Sequence, residues 1–95
     1  MKIVILGKIE NQEEFDLAAT MIRSEGNIPI NPSKVMYALP YDISNADFYA
    51  VLIELVRISD AVYLLPDWEQ DLGARIAKNN AENLGREVIV GYGKV

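Results

Sequence analysis

The stretch Asp60–Gly91, DAVYLLPDWEQDLGARIAKNNAENLGREVIVG, reads as a strand, a loop, a helix and a second strand. Val62–Leu65, which Asp60 and Ala61 lead into, and Glu87–Val90 are short apolar runs without alternation. Such runs suit strands covered on both faces, as in a parallel sheet. Between them Asp71 is placed to cap a helix over Leu72 to Leu84, and Gly85 to stop it in the left-handed conformation. Pro66–Gln70, PDWEQ, joins the first strand to the helix and carries the only Trp. That loop lies at the carboxyl end of its strand, where open α/β sheets bind ligands.

Upstream, the chain supplies the rest of a sheet. Lys2–Leu6, KIVIL, is a β-branched strand, and Gly7 after it allows a sharp turn or a close approach of backbone to ligand. Asn11 and Glu14 have capping-box spacing for a helix from Gln12 to Glu25, with Phe15, Ala18, Ala19 and Ile22 on one face, widened by Met21, and Gly26 as its stop. Asn27–Asn31 reads as a short strand, and Pro29 confines it to an edge. Pro32–Asp42 is a long connection whose Met36, Tyr37 and Tyr41 must cover something, either a sheet end or a ligand. Ser44 is placed to cap a helix from Asn45 to Ile58, with Phe48, Val51, Leu52, Leu55 and Ile58 facing inward. Gly91–Val95 is a short tail. Strands alternating with helices predict an α/β fold: a doubly wound parallel sheet of four strands, order 2-1-3-4, with three helices.

Composition narrows the function. Ninety-five residues, 51% hydrophobic and 24% charged, make one globular domain spanning 1–95. There is no Cys, hence no disulfide and no thiolate metal site, and no His, the usual general base near neutral pH. A net charge of −5 argues against a nucleic-acid partner. No apolar run approaches the ~20 residues of a membrane span, and the amino-terminal strand does not resemble a signal peptide. A soluble cytoplasmic protein with neither metal nor cofactor is expected.

In the 2-1-3-4 order, Gly7 and Lys8 meet Asp67 and Trp68 at the switch point between the first and third strands. The helix capped by Asp71 points unpaired N–H groups there, and Gly73 and Ala74 leave room for a ligand or a neighbouring strand. Trp68 offers a flat face that Tyr37 or Tyr41 could oppose, as in a sandwich for a planar ring. A Trp beside a tight turn serves equally as a packing residue. Asp67, Glu69 and Asp71 have loosely oxygen-ligand spacing but lack the Gly and the closing Glu of a calcium loop, and a solvated acidic loop is the plainer reading.

The run Asp60–Gly85 resembles the carboxyl-terminal half of the nucleoside 2-deoxyribosyltransferase-like superfamily, most of all its small bacterial and phage members of uncharacterised function. Asp60, Ala61, Tyr63, Leu64, Leu65, Pro66, Trp68, Glu69, Gly73 and Ala74 carry the likeness, with Asn31-Pro32 upstream. The resemblance implies a flavodoxin-like fold and a nucleoside or nucleotide pocket. It also implies N-glycosidic chemistry in active members, by a nucleophilic Glu in the last helix and an Asp in the preceding one. Spacing puts those two positions at Ala77 and Leu52, whose side chains do no such chemistry. Asp71 replaces a Ser and Asp67 a Gly, adding negative charge that disfavours phosphate unless Lys8 or Arg75 compensates.

The expected protein is therefore a non-catalytic binder of a nucleoside- or nucleotide-type small molecule, with Gly7, Lys8, Tyr37, Tyr41, Asp67, Trp68, Asp71, Gly73, Ala74 and Ala77 around the ligand. One alternative is an active deoxyribosyltransferase or nucleoside N-glycosidase with relocated carboxylates. Another is a protein-interaction module whose pocket is filled by Tyr37, Tyr41 and Trp68. A homo-oligomer is expected, formed through Tyr49, Ile53 and Val56 of the second long helix.

Overall fold

The computed structural model describes residues 1–91. Its elements run β1 (Lys2–Leu6), α1 (Gln12–Ser24), β2 (Ile28–Ile30), α2 (Pro32–Val35), α3 (Asn45–Ile58), β3 (Ala61–Leu64), α4 (Leu72–Asn83) and β4 (Glu87–Val90). The four strands form one parallel sheet in the order β2-β1-β3-β4. β1 and β3, the most apolar strands, are central, and β2 with Pro29 lies at an edge, where the missing N–H costs no ladder bond. The tail beyond Gly91 lies outside the described residues.

Alternation along the strands divides the core into two layers. Ile3, Ile5, Ala61, Tyr63 and Leu65 meet Phe15, Ala18 and Ile22 of α1 on one face. Val4, Leu6, Val62 and Leu64 meet Leu52 and Val56 of α3 and Ala74, Ala77 and Ala81 of α4 on the other. The three alanines recur at helical spacing and give α4 a flat face, so it seats close to both sheet and α3. Each fully buried Ile, Leu or Val contributes about 1.5–3 kcal/mol, so this small core rests on a few side chains.

The helix ends follow local chemistry at most points. Ser44 accepts the N–H of Asp47 at 3.1 Å and Asp71 that of Ala74 at 2.9 Å. Gly26 and Gly85 take positive φ, 86° and 72°, just past α1 and α4.

Four details depart from expectation. Asn11 stands at the N-cap of α1 but makes no side-chain cap, and its amide nitrogen donates to Asp67 across the crevice. α3 is turned relative to the expected face: Phe48, Leu52 and Val56 are its buried residues, and Ile58 is exposed. Val56 therefore cannot serve the outer, oligomer-forming surface assigned to it. The long connection is not a plain loop, since Pro32–Val35 forms one helical turn and Met36–Ala38 a 3-10 turn. Asn31 caps that turn by accepting the Ser33 N–H at 3.0 Å, with Pro32 at the first helical position, where its missing N–H costs nothing.

Asp60 ties the start of β3 to β1 by accepting the Lys2 N–H at 2.8 Å. That bond, against a smaller desolvation and aided by the charges of Lys2, the amino terminus and Arg86, holds its carboxyl below the ordinary value. The folded state thus favours the ionised form. The stabilisation is complete above the ordinary carboxylate range and is lost as pH falls through the lowered folded value. Asp60→Asn is expected to be less stable than the parent at pH 7, with the gap between their urea midpoints closing as pH falls toward about 2. A gap independent of pH would show that the charge does not matter.

Candidate functional site

The crevice at the carboxyl ends of β1 and β3 is held together by Asp67. Its Oδ1 accepts the Lys8 N–H at 3.2 Å, and its Oδ2 accepts from the Asn11 side-chain amide. One carboxylate so clamps the loop after β1 to the loop after β3. Gly7 is required at this closure: a Cβ there would stand 2.7 Å from Leu65 Cδ1 and 2.8 Å from Asp67 Oδ1. Gly7, Lys8 and Asp67 are brought together as the topology implied.

Above this clamp an open depression of about 660 Å³ is lined by Glu10, Asn11, Gln12, Glu13, Glu14, Pro66 and Asp67. Its volume falls in the range of small-molecule sites. Four of its seven residues are carboxylates and none is a cation, so the field in it is negative. Asn11 and Glu14 were expected only as the capping box of a helix that starts at Gln12. The signal that they border the site was their position directly after β1, at the switch point.

Trp68 and the α4 residues lie apart from this depression. Trp68 is half-buried and packs against the α3–α4 layer of the core, with Lys78 Nζ 5.3 Å from its ring centroid. Lys78 also pairs with Glu82 at 2.9 Å. Asp71 spends an oxygen on the Ala74 N–H. Gly73 lies under Tyr49, whose Cε1 would be 2.8 Å from an added Cβ, so its small size serves the α3–α4 contact. Ala74 is buried in the same layer.

Ala77 is 0% exposed and Leu52 3%. Both belong to the α3–α4 layer, so the two positions at which the resemblance would require carboxylates are core. Ala77 was expected to line the pocket, and the packing of α4 against sheet and α3 closes it off instead.

The two tyrosines do not fill the crevice. Tyr37 is 68% exposed and reaches its rim through its hydroxyl, which takes a hydrogen bond from the Gln12 amide. Tyr41 is 100% exposed. Among the described residues no group of three or more acidic side chains is arranged to hold a metal ion. No described helix is long and apolar enough to cross a membrane.

Comparison with known proteins adds two findings. A family model described as "Domain of unknown function (DUF4406)" matches residues 3–90. A solved structure, a 2-desoxiribosyltransferase from Leishmania mexicana, superimposes with a TM-score of 0.68 at 15% identity. The match covers 94% of this chain and 62% of that one, so this chain spans less than two thirds of the enzyme's length. At that identity the likeness is one of fold: the sheet and its helices are nucleoside 2-deoxyribosyltransferase-like. No curated protein matches the chain.

Proposed function

The chain belongs to the DUF4406 family, and on that premise we propose that it is a non-catalytic protein that binds a nucleoside-like small molecule in the depression above β1 and β3. The observation that carries the reading is the burial of Ala77 and Leu52. A nucleophile must come within about 3–3.5 Å of the sugar carbon it attacks. Neither position reaches solvent, and neither side chain is a nucleophile or an acid. The fold is kept while the chemistry that the resemblance implies has no place to occur.

The ligand class follows from charge. Glu10, Glu13, Glu14 and Asp67 surround a space open to water. Asp67 already has both oxygens engaged, so it acts as a fixed wall. Backbone groups of the loop after β1 are left to contact base and sugar hydroxyls, with the side-chain carbonyl oxygens of Asn11 and Gln12, whose amide nitrogens donate to Asp67 and Tyr37. An unphosphorylated nucleoside is favoured over its 5′-monophosphate, because two like charges about 4 Å apart repel by about 1 kcal/mol even in water.

Titrating labelled protein with deoxynucleosides and their 5′-monophosphates tests this. The amides of Lys8, Asn11, Gln12 and Asp67 are expected to shift with at least one nucleoside, and its monophosphate to bind about fivefold more weakly at low salt. Tighter binding of the monophosphate, or shifts confined to Trp68 and α4, would overturn the reading.

A further inference from the structure

The hydrogen bond between Asn11 and Asp67 has a direction. An ionised carboxylate only accepts, whereas a side-chain amide donates at its nitrogen and accepts at its oxygen. Asn11 therefore turns Nδ2 toward Asp67 Oδ2, across a sequence separation of 56 residues, and Oδ1 away from it. The carboxylate has little freedom of its own. Its Oδ1 is held by the Lys8 N–H at 3.2 Å, and a Cβ on Gly7 would stand 2.8 Å from the same oxygen. Asn11 occupies the N-cap of α1, where a side-chain oxygen ordinarily accepts a helix N–H, but it makes no such bond. Among the described residues nothing donates to Asn11 Oδ1, which is left to the depression that Asn11 lines.

Gln12 is not fixed in this way. Its amide nitrogen donates to the Tyr37 hydroxyl, but a hydroxyl both donates and accepts, so either end of that amide can face it. Glu10, Glu13 and Glu14 add carboxylate oxygens to the lining, and Pro66 has no polar side-chain atom. A base edge rich in carbonyl oxygens, as in thymine, would set acceptors against acceptors here. The exocyclic amino group of adenine or cytosine offers N–H donors instead.

We propose that Asp67 is a positioning residue for base selection: it holds the Asn11 amide with its oxygen toward the ligand, and that oxygen accepts from the exocyclic amino group of an adenine- or cytosine-type base. This rests on the nucleoside reading of the depression and adds which base group is read and which residue sets the reader. Asp67→Asn then has a specific consequence. The new amide satisfies the Lys8 N–H only with its oxygen on that side, so its nitrogen faces Asn11. Asn11 must turn its own oxygen to meet it and presents Nδ2, a donor, to the ligand.

The test measures Kd for 2′-deoxyadenosine and 2′-deoxycytidine and for their analogues with hydrogen in place of the amino group, which lose the donor without added bulk. In the parent, the better-bound nucleoside is expected to bind about fivefold more tightly than its analogue. In Asp67→Asn that preference should disappear or reverse. The double variant Asn11→Asp, Asp67→Asn restores a nitrogen-to-carboxylate bond in the opposite sense and leaves a carboxylate oxygen for the ligand, so it should regain the preference. Equal binding of nucleoside and analogue by the parent would overturn the proposal and leave the nucleoside reading standing. So would a preference unchanged in Asp67→Asn, because the Asn11 amide would then not depend on Asp67. No binding of any nucleoside to the parent would overturn both. The parent comparison and the double variant do not depend on the folding of Asp67→Asn.

Discussion

Ala77→Glu is expected to lose most of its folding stability at pH 7 and to release no free base from any nucleoside. The side chain would enter a layer where Ala77 is fully buried against β3, α3 and the rest of α4. A buried Glu is held neutral, with its carboxyl raised by about 3–4 pH units, and each unit is worth about 1.4 kcal/mol. Overpacking adds about 1–3 kcal/mol. At pH 7 only the roughly 2.7 units between the ordinary Glu value and pH 7 count, about 3.7 kcal/mol, so the sum, roughly 5–7 kcal/mol, reaches the lower part of the 5–15 kcal/mol that a domain has in total. The sign is opposite to that of Asp60. A carboxyl raised by folding destabilises above its unfolded value, so the variant regains stability as pH falls toward about 4. Urea unfolding at pH 7 and near pH 4 measures both. A variant as stable as the parent at pH 7 would mean that position 77 reaches water, and the case for a silent site would fail.

Gly7→Val is expected to cost about 2–6 kcal/mol. The branched side chain would overlap Leu65, costing about 1–3 kcal/mol by overpacking. It would also displace the Asp67 carboxylate, so that Lys8 N–H and the Asn11 amide lose their acceptor, at about 0.5–1.5 kcal/mol each. The double variant Gly7→Val, Leu65→Ala should cost clearly less than the sum of the single changes, because they act on one contact. Purely additive urea midpoints would show that Leu65 is not what excludes a side chain at Gly7.

The fold was legible because its signals are local. Apolar runs marked the strands, Ser44 and Asp71 the helix starts, Gly26 and Gly85 the stops, and Pro29 the edge. Each depends on residues within one turn of one another. What sequence reading missed depends on distant partners. Asn11 has every mark of a helix cap, yet its amide serves Asp67, 56 residues away. Val56 and Ile58 both fit an inward stripe of α3, and only packing against β1, β3 and α4 decides for Val56. Pro32–Val35 is the exception, since Asn31-Pro32 was a readable cap and first turn.

The site was legible in place and less so in membership. Topology put Gly7, Lys8 and Asp67 together. It could not show that the Trp68, Gly73, Ala74 and Ala77 side of the crevice is packed shut while the head of α1 lies open. Small residues at 73, 74 and 77 admit a ligand or a neighbouring helix equally well, and here the neighbours are Tyr49 and the core of α3. Tyr37 and Tyr41 could not be placed from an aromatic-rich connection, whose turns carry Tyr41 into solvent.

The central claim, that this fold is kept without its glycosidic chemistry, is tested most directly by incubating the protein with a panel of deoxynucleosides and deoxynucleoside 5′-monophosphates and quantifying free base. The account predicts release no faster than in buffer. Release well above that rate, abolished by Glu14→Gln, Glu69→Gln or Asp71→Asn, would contradict it and place a working carboxylate in the crevice.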